Sequence, residues 1–251
     1  MEILFGKTCV VTGAAGGIGS ALVRRLVRDG AQVVAIDRDV PELDGVALAL
    51  AVDVSDIAAV RAAAERITRE LGPVHLLVNN AGTVGGGRTW EIADEVWDRV
   101  LGTNLGGVLN GIRAFVPAMV ANSEEPAHVV NTASMAGVAT MPNIAPYIAS
   151  KQAVVGVSET LHHDLREAGV THVGVSVVCP GYVPTWLGMP DKSMPLPEPK
   201  PGQPSADDVA DAIVDAVLTG RFYVFTHADS TAHVERRLRA IVDGTAPVSM
   251  T

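Results

Sequence analysis

The chain reads as an α/β domain: a doubly wound parallel sheet of about seven strands with helices on both faces. Two observations predict it. Strand-like and helix-like stretches alternate almost throughout the 251 residues, and such alternation folds into a parallel sheet through right-handed crossovers. The strand-like runs are also short and apolar, with Val46-Ala-Leu-Ala-Leu-Ala-Val52 as an example. That is the texture of strands buried on both faces.

The elements follow in order. A strand over Thr8–Thr12 leads through a glycine-rich turn into a helix near Gly17–Asp29, which Gly30 ends. Strands over Gln32–Ile36 and Leu48–Val52 come next, then a helix near Asp56–Leu71 stopped by Gly72-Pro73. The fourth strand, Val74–Val78, precedes a long helical stretch near Asp94–Ala121. His128–Thr132 is the fifth strand, and a helix near Tyr147–Ala168 ends at Gly169. Val173–Val178, a helix over Ala206–Thr219, a strand over Phe222–Phe225 and a helix near Ser230–Val242 complete the chain. Neither an internal repeat nor a domain boundary interrupts it, so one domain over residues 1–251 is expected. Thr185 to Pro204 departs from the pattern, holding Pro190, Pro195, Pro197, Pro199, Pro201 and Pro204. Long loops inside compact domains tend to be lids or binding loops, and a substrate lid is expected here rather than a plain linker.

Composition excludes several classes of function. A net charge of −9 and a pI near 5.2 argue against nucleic acid or an anionic membrane as partner. Mean hydropathy is high at +0.28, yet no apolar run approaches the ~18 residues that span a bilayer. Met1 to Lys7 lacks a basic stretch followed by an apolar one, so export is not expected and a cytoplasmic location is. Cys9 and Cys179 sit inside apolar runs and read as buried free thiols. The histidines have no cysteine or carboxylate partners at metal-ligand spacing, so no metal is expected.

The turn Thr12-Gly-Ala-Ala-Gly-Gly-Ile-Gly19 lies between the first strand and the first helix. Small residues there let the backbone approach a pyrophosphate, and the helix N-terminus offers free N–H groups and partial positive charge. This is the phosphate turn of a Rossmann fold, with Gly13, Ala15, Gly17, Ile18 and Gly19 as contacts. Asp37 ends the second strand where a ribose 2′-hydroxyl would bind, which favours NAD, with Arg38 beside it. Asp53 and Val54 close the third strand along the same sheet edge, near an adenine.

Tyr147-Ile-Ala-Ser-Lys151 places a phenol and an ammonium one helical turn apart. A neighbouring cation stabilises phenolate and lowers the tyrosine pKa, which suits proton transfer to or from an alcohol oxygen. Ser134 follows the fifth strand at its carboxyl end, where it either holds a substrate oxygen or bonds its own backbone.

With these pieces in order, the chain resembles the short-chain dehydrogenase/reductase family in its compact single-domain branch. The motifs are Thr12-Gly-x-x-x-Gly-Ile-Gly19, Asp53-Val54, Asn79-Asn-Ala-Gly82, Asn104, Ser134, Tyr147-x-x-x-Lys151 and Pro180-Gly181. The resemblance implies a catalytic tetrad of Asn104, Ser134, Tyr147 and Lys151. Tyr147 exchanges the proton, Ser134 binds the substrate oxygen, Lys151 holds the nicotinamide ribose and depresses the Tyr147 pKa, and Asn104 binds a water leading to Lys151. It also implies that Asn80, Ala81 and Gly82 line the adenosine side, and that Pro180, Gly181, Val183 and Thr185 meet the carboxamide. Pro184 removes a backbone donor between the last two. Trp186, Leu187 and Met189 would close over substrate. The C-terminus departs from the family, since Ser230 to Thr251 contains no glycine-rich final strand.

The expected activity is interconversion of a secondary alcohol and a ketone, on an apolar or ring-containing substrate, with NAD as cofactor. A non-catalytic NAD(H) sensor would be marked by loss of the tyrosine or lysine. An epimerase or dehydratase using NAD transiently would need a further substrate domain. The helices near Asp94–Ala121 and Tyr147–Ala168 carry apolar residues on more than one face, which suits a homodimer or homotetramer.

Overall fold

The computed structural model describes residues 4–187, 198 and 202–250. Its strands are β1 (Thr8–Thr12), β2 (Gln32–Asp37), β3 (Leu48–Ala51), β4 (Val74–Asn79), β5 (Ala127–Thr132), β6 (Val173–Cys179) and β7 (Tyr223–Phe225). They form one seven-stranded sheet in the order β3-β2-β1-β4-β5-β6-β7, with every pairing parallel. The α-helices are α1 (Gly17–Arg28), α2 (Ile57–Leu71), α3 (Asp94–Leu101), α4 (Gly107–Ala121), α5 (Ala145–Glu167), α6 (Ala206–Thr219) and α7 (Ser230–Val242). The doubly wound α/β architecture stands as the sequence predicts.

Alternate strand residues feed two cores. Cys9, Val11, Val33, Ala35, Leu76 and Val78 pack with Leu22 and Leu26 of α1 and Val209 and Ile213 of α6. Val10, Val34, Ile36 and Leu77 pack with Ile67 of α2 and with Phe115 and Met119 of α4 on the opposite face. Each such aliphatic side chain, once fully buried, stabilises the fold by ~1.5–3 kcal/mol. Helix ends carry their own signals. The Asp56 carboxylate caps α2 by accepting Ala58 N–H and Ala59 N–H. Ser205 and Asp208 form a reciprocal capping box on α6, which ends at the left-handed Gly220. Cys9 and Cys179 are both buried and free, with β4 and β5 between their strands.

The strand order reverses between β1 and β4, so the loops after these two strands splay apart at the carboxyl edge of the sheet. That crevice is where open α/β sheets take ligands.

Two expectations need adjustment. The stretch Asp94–Ala121 is not one regular helix, because a π-helical turn, Gly102–Gly106, joins α3 to α4. Gly107 and Gly111 let α4 press on the sheet: a Cβ there would lie 2.7 Å from Val54 Cγ2 and 2.0 Å from Asn79 Oδ1 respectively. The second adjustment concerns element ends. β3 stops at Ala51, leaving Asp53 in the following loop, while α5 starts before Tyr147 because Pro146, with its fixed φ, opens the helix. The expected lid is a different matter: most of Thr185–Pro204, including Met189, lies outside the described residues.

Candidate active site

The turn after β1 is built by contact as much as by conformation. Gly13 has φ +67°, and a Cβ on it would meet Ala81 Cα at 2.7 Å. A Cβ on Gly19 would lie 2.0 Å from Gly13 O, so α1 can start this close to the turn only without side chains. Thr12 Oγ1 accepts the N–H groups of Asn80 and Ala81, and Asn80 Nδ2 donates back to Thr12 O at 3.0 Å. These bonds lock the turn after β1 to the loop after β4 across the crevice. Helix α1 opens at Gly16 with no side-chain cap and no acid in its first turn. Its end therefore keeps backbone donors and partial positive charge for an anion. A cradle that any Cβ would fill, facing an uncapped helix start, fits a dinucleotide pyrophosphate.

Asp37 ends β2 beside this turn. Its Oδ2 accepts Ala15 N–H at 2.9 Å and its Oδ1 accepts Arg38 N–H at 2.8 Å. Asp53 lies further along the edge. The Ser55 hydroxyl and N–H, together with the Arg38 charge, hold its carboxyl below the ordinary range. Val54 is buried against α4.

Tyr147 stands in the first turn of α5, and Lys151 follows one turn on, with Nζ 5.7 Å from the phenol ring centroid. Lys151 is buried and donates to Thr132 O at 2.8 Å. Burial pulls its pKa from 10.5 to about 8. The Tyr147 pKa is raised above its ordinary 10 by burial, with a hydrogen bond from Ser134 acting the other way. Loss of water around the phenol thus acts against the depression expected from Lys151, whose ammonium donates to a backbone carbonyl.

Ser134 sits at the end of β5, where its Oγ caps a 3₁₀ turn, Met135–Gly137, through Ala136 N–H and its hydroxyl faces Pro180 O at 3.3 Å. Asn104 is buried within the π turn. Its Oδ1 accepts Thr83 N–H at 2.8 Å, while its Nδ2 donates to Thr83 O at 2.9 Å and to Ser150 Oγ at 3.0 Å. Ser150 in turn donates to Tyr147 O. Asn104 thus joins the loop after Gly82 to the helix that carries Tyr147, and both of its amide protons are spent on protein acceptors.

The segment after β6 runs along the same edge. Val183 and Pro184 are buried. A Cβ on Gly17 would come within 3.0 Å of Thr185 Cγ2, and one on Gly16 within 3.7 Å of Trp186 Cε3. Trp186, expected beside the substrate, therefore lies over the phosphate turn. Leu187 is exposed, its N–H donating to Thr185 Oγ1.

Thr83, Ser150 and His227 also enter the site, and sequence reading passed over all three. His227 follows β7 at the carboxyl edge, the same positional signal that singled out Ser134. Among the described residues no group of three or more His, Cys, Asp or Glu side chains is placed to hold a metal ion. Nor is any described helix long and apolar enough to cross a membrane.

A glycine turn locked to the loop after β4, with a phenol, a hydroxyl and a buried lysine beyond it, defines an α/β oxidoreductase site. The family model for short chain dehydrogenase matches residues 7–195, and the chain belongs to the short-chain dehydrogenase/reductase family. It is 38% identical over 238 residues to 1-deoxy-11-beta-hydroxypentalenate dehydrogenase of Streptomyces avermitilis, covering 89% of this chain and 86% of that one. It is 37% identical over 244 residues to the probable oxidoreductase EphD of Mycobacterium tuberculosis, using 85% of this chain but spanning only 40% of that protein's length. A short-chain dehydrogenase/reductase from Burkholderia phymatum, solved in complex with NAD, superposes with a TM-score of 0.90 at 36% identity, covering 100% of this chain and 99% of the other.

Proposed function

We propose that this protein is an NAD-dependent oxidoreductase that interconverts a secondary alcohol and a ketone, with Tyr147 as the general acid/base. The observation that carries this is the convergence of Tyr147, Ser134 and Lys151 on the sheet edge that also holds the uncapped start of α1.

In ketone reduction the Tyr147 phenol gives its proton to the substrate oxygen. A phenol is protonated at neutral pH, as this role requires. The Ser134 hydroxyl hydrogen-bonds the same oxygen as its charge develops. In alcohol oxidation Tyr147 must act as phenolate, and the nearby Lys151 ammonium is the group that lowers the cost of that charge. A nicotinamide cofactor, when bound, would supply or accept the hydride. Gly13, Ala15, Gly17, Ile18 and Gly19 would hold its pyrophosphate, Asp37 and Arg38 the adenosine ribose, and Asp53, Val54, Asn80, Ala81 and Gly82 the adenosine side. Pro180, Gly181, Val183 and Thr185 would border the carboxamide. Asn104 acts as a positioning residue through Thr83 and Ser150.

The exposed Leu187, at the start of the expected lid, supports an apolar or ring-containing substrate. Half-buried Leu109 and Ile112 on α4, with Ile148 and Val157 on α5, support assembly into a dimer or tetramer.

A panel of secondary alcohols and ketones followed by NADH absorbance tests the activity. Tyr147→Phe should lower turnover by ~10²–10⁴-fold while NADH still binds, since the ring and its packing remain. Wild-type kcat in that variant would remove Tyr147 from the reaction.

A further inference from the structure

We infer that His227 is a positioning residue for the nicotinamide end of the site, clamping Gly181 and Tyr182 from the end of the neighbouring strand; this rests on the function proposed above. The geometry fixes the state of the ring. Gly181 N–H points at His227 Nδ1 at 3.1 Å, so Nδ1 must be an unprotonated acceptor. Nε2 lies 3.0 Å from Tyr182 O, an acceptor, so the ring proton is on Nε2. Thr226 Oγ1, 3.0 Å from Nδ1, adds a second donor to the same nitrogen. One neutral imidazole thus satisfies consecutive backbone groups of the loop after β6.

The ring also packs flat on that loop. A Cβ on Gly181 would stand 3.0 Å from Cγ, Cδ2 and Cε1 of His227. A side chain at Gly181 would press on the histidine ring, so the glycine of Pro180-Gly181 suits this packing. On its other side the loop is tied to the catalytic serine: Pro180 O accepts Met135 N–H at 2.8 Å and faces the Ser134 hydroxyl. His227 therefore holds the outer half of a strip whose inner half sets the direction of Ser134. Removing the ring frees Gly181 and Tyr182 to move, and with them the wall against which the carboxamide would sit.

Backbone amide exchange in the free protein, NADH binding by fluorescence and steady-state kinetics test the clamp on His227→Ala, His227→Asn and Gly181→Ala. His227→Ala should expose the Gly181 amide to fast exchange and weaken NADH binding by about tenfold, as expected for two lost hydrogen bonds. His227→Asn, with Oδ1 near the place of Nδ1, should restore much of the Gly181 protection. Gly181→Ala should weaken NADH binding in the wild-type background and cost much less on top of His227→Ala, because the ring it strikes has gone. Unchanged Gly181 exchange or NADH affinity in His227→Ala overturns the inference. So does an Asn variant as impaired as the Ala one, which would mark simple loss of packing, or strict additivity of the two substitutions. Failure of the wild type itself to bind NADH would overturn the cofactor reading, while the exchange data on the free protein would still decide whether the clamp exists.

Discussion

The Asp37 carboxylate accepts Ala15 N–H through one oxygen and Arg38 N–H through the other, which fixes both its position and its direction at the end of β2. On the proposed function this is the group that meets the adenosine ribose. A cofactor 2′-phosphate at ~4 Å would be repelled by about 4 kcal/mol per pair of unit charges at an effective dielectric near 20. Arg38 is exposed, and its charge already acts on Asp53, so it offers little counterweight while Asp37 is ionised. Asp37→Ser should therefore narrow the preference for NADH over NADPH, by freeing Arg38 to pair with the phosphate. It should also lower kcat/KM for NADH itself, since the bond to Ala15 N–H is weakened along with the ribose contact. Kinetics with both cofactors on both proteins measure the ratio. A wild-type preference for NADPH, or a ratio unmoved by the substitution, would place Asp37 away from the ribose.

At the scale of elements, the π turn between α3 and α4 turns Asn104 inward, where its three hydrogen bonds tie the loop after β4 to α5. Asn104→Ala strands the N–H and carbonyl of Thr83, and the stranded groups should cost about 2–4 kcal/mol in total. Urea unfolding should report that loss, and kcat should fall through a displaced Tyr147; full wild-type stability would mean Thr83 finds other partners. Sequence reading located the strands and α-helices because buried parallel strands and amphipathic helices differ in period and in their glycine punctuation. It did not see the π turn, since Gly102-Thr-Asn-Leu-Gly106 keeps the pattern of an ordinary helix, and Asn104 stood out only through family resemblance. His227 and Thr83 escaped because their meaning lies in bonds to residues far along the chain. The Tyr147–Lys151 spacing was legible, but the burial of the two groups was not: i,i+4 spacing shows which groups are neighbours and is blind to how much water each has lost.

For the molecule as a whole, that lost water is a stability term. Lys151 is 3% exposed, and its ammonium has the Thr132 carbonyl as a hydrogen-bond acceptor, which offsets only part of the desolvation of a charge. In the unfolded chain the lysine titrates near its ordinary 10.5, and in the fold near 8. Between those values the unfolded state binds more protons, so the contribution of Lys151 to stability rises with pH across that window. Below about pH 8 the ammonium is charged in both states and the fold carries the full penalty, up to about 3 kcal/mol for such a displacement. The raised pKa values of Cys9, Cys179 and Tyr147 act in the opposite sense at alkaline pH, so only a difference between variants isolates the lysine. Lys151→Met keeps the length of the side chain and removes the charge. It should be more stable than wild type at pH 7, with the gap closing by pH 10, while activity is lost at both. Urea unfolding of the two proteins at pH 7 and pH 10 measures this directly. A gap of the same size at both values would mean that Lys151 holds its proton through the whole range, and that the fold carries the cost of its cation at both.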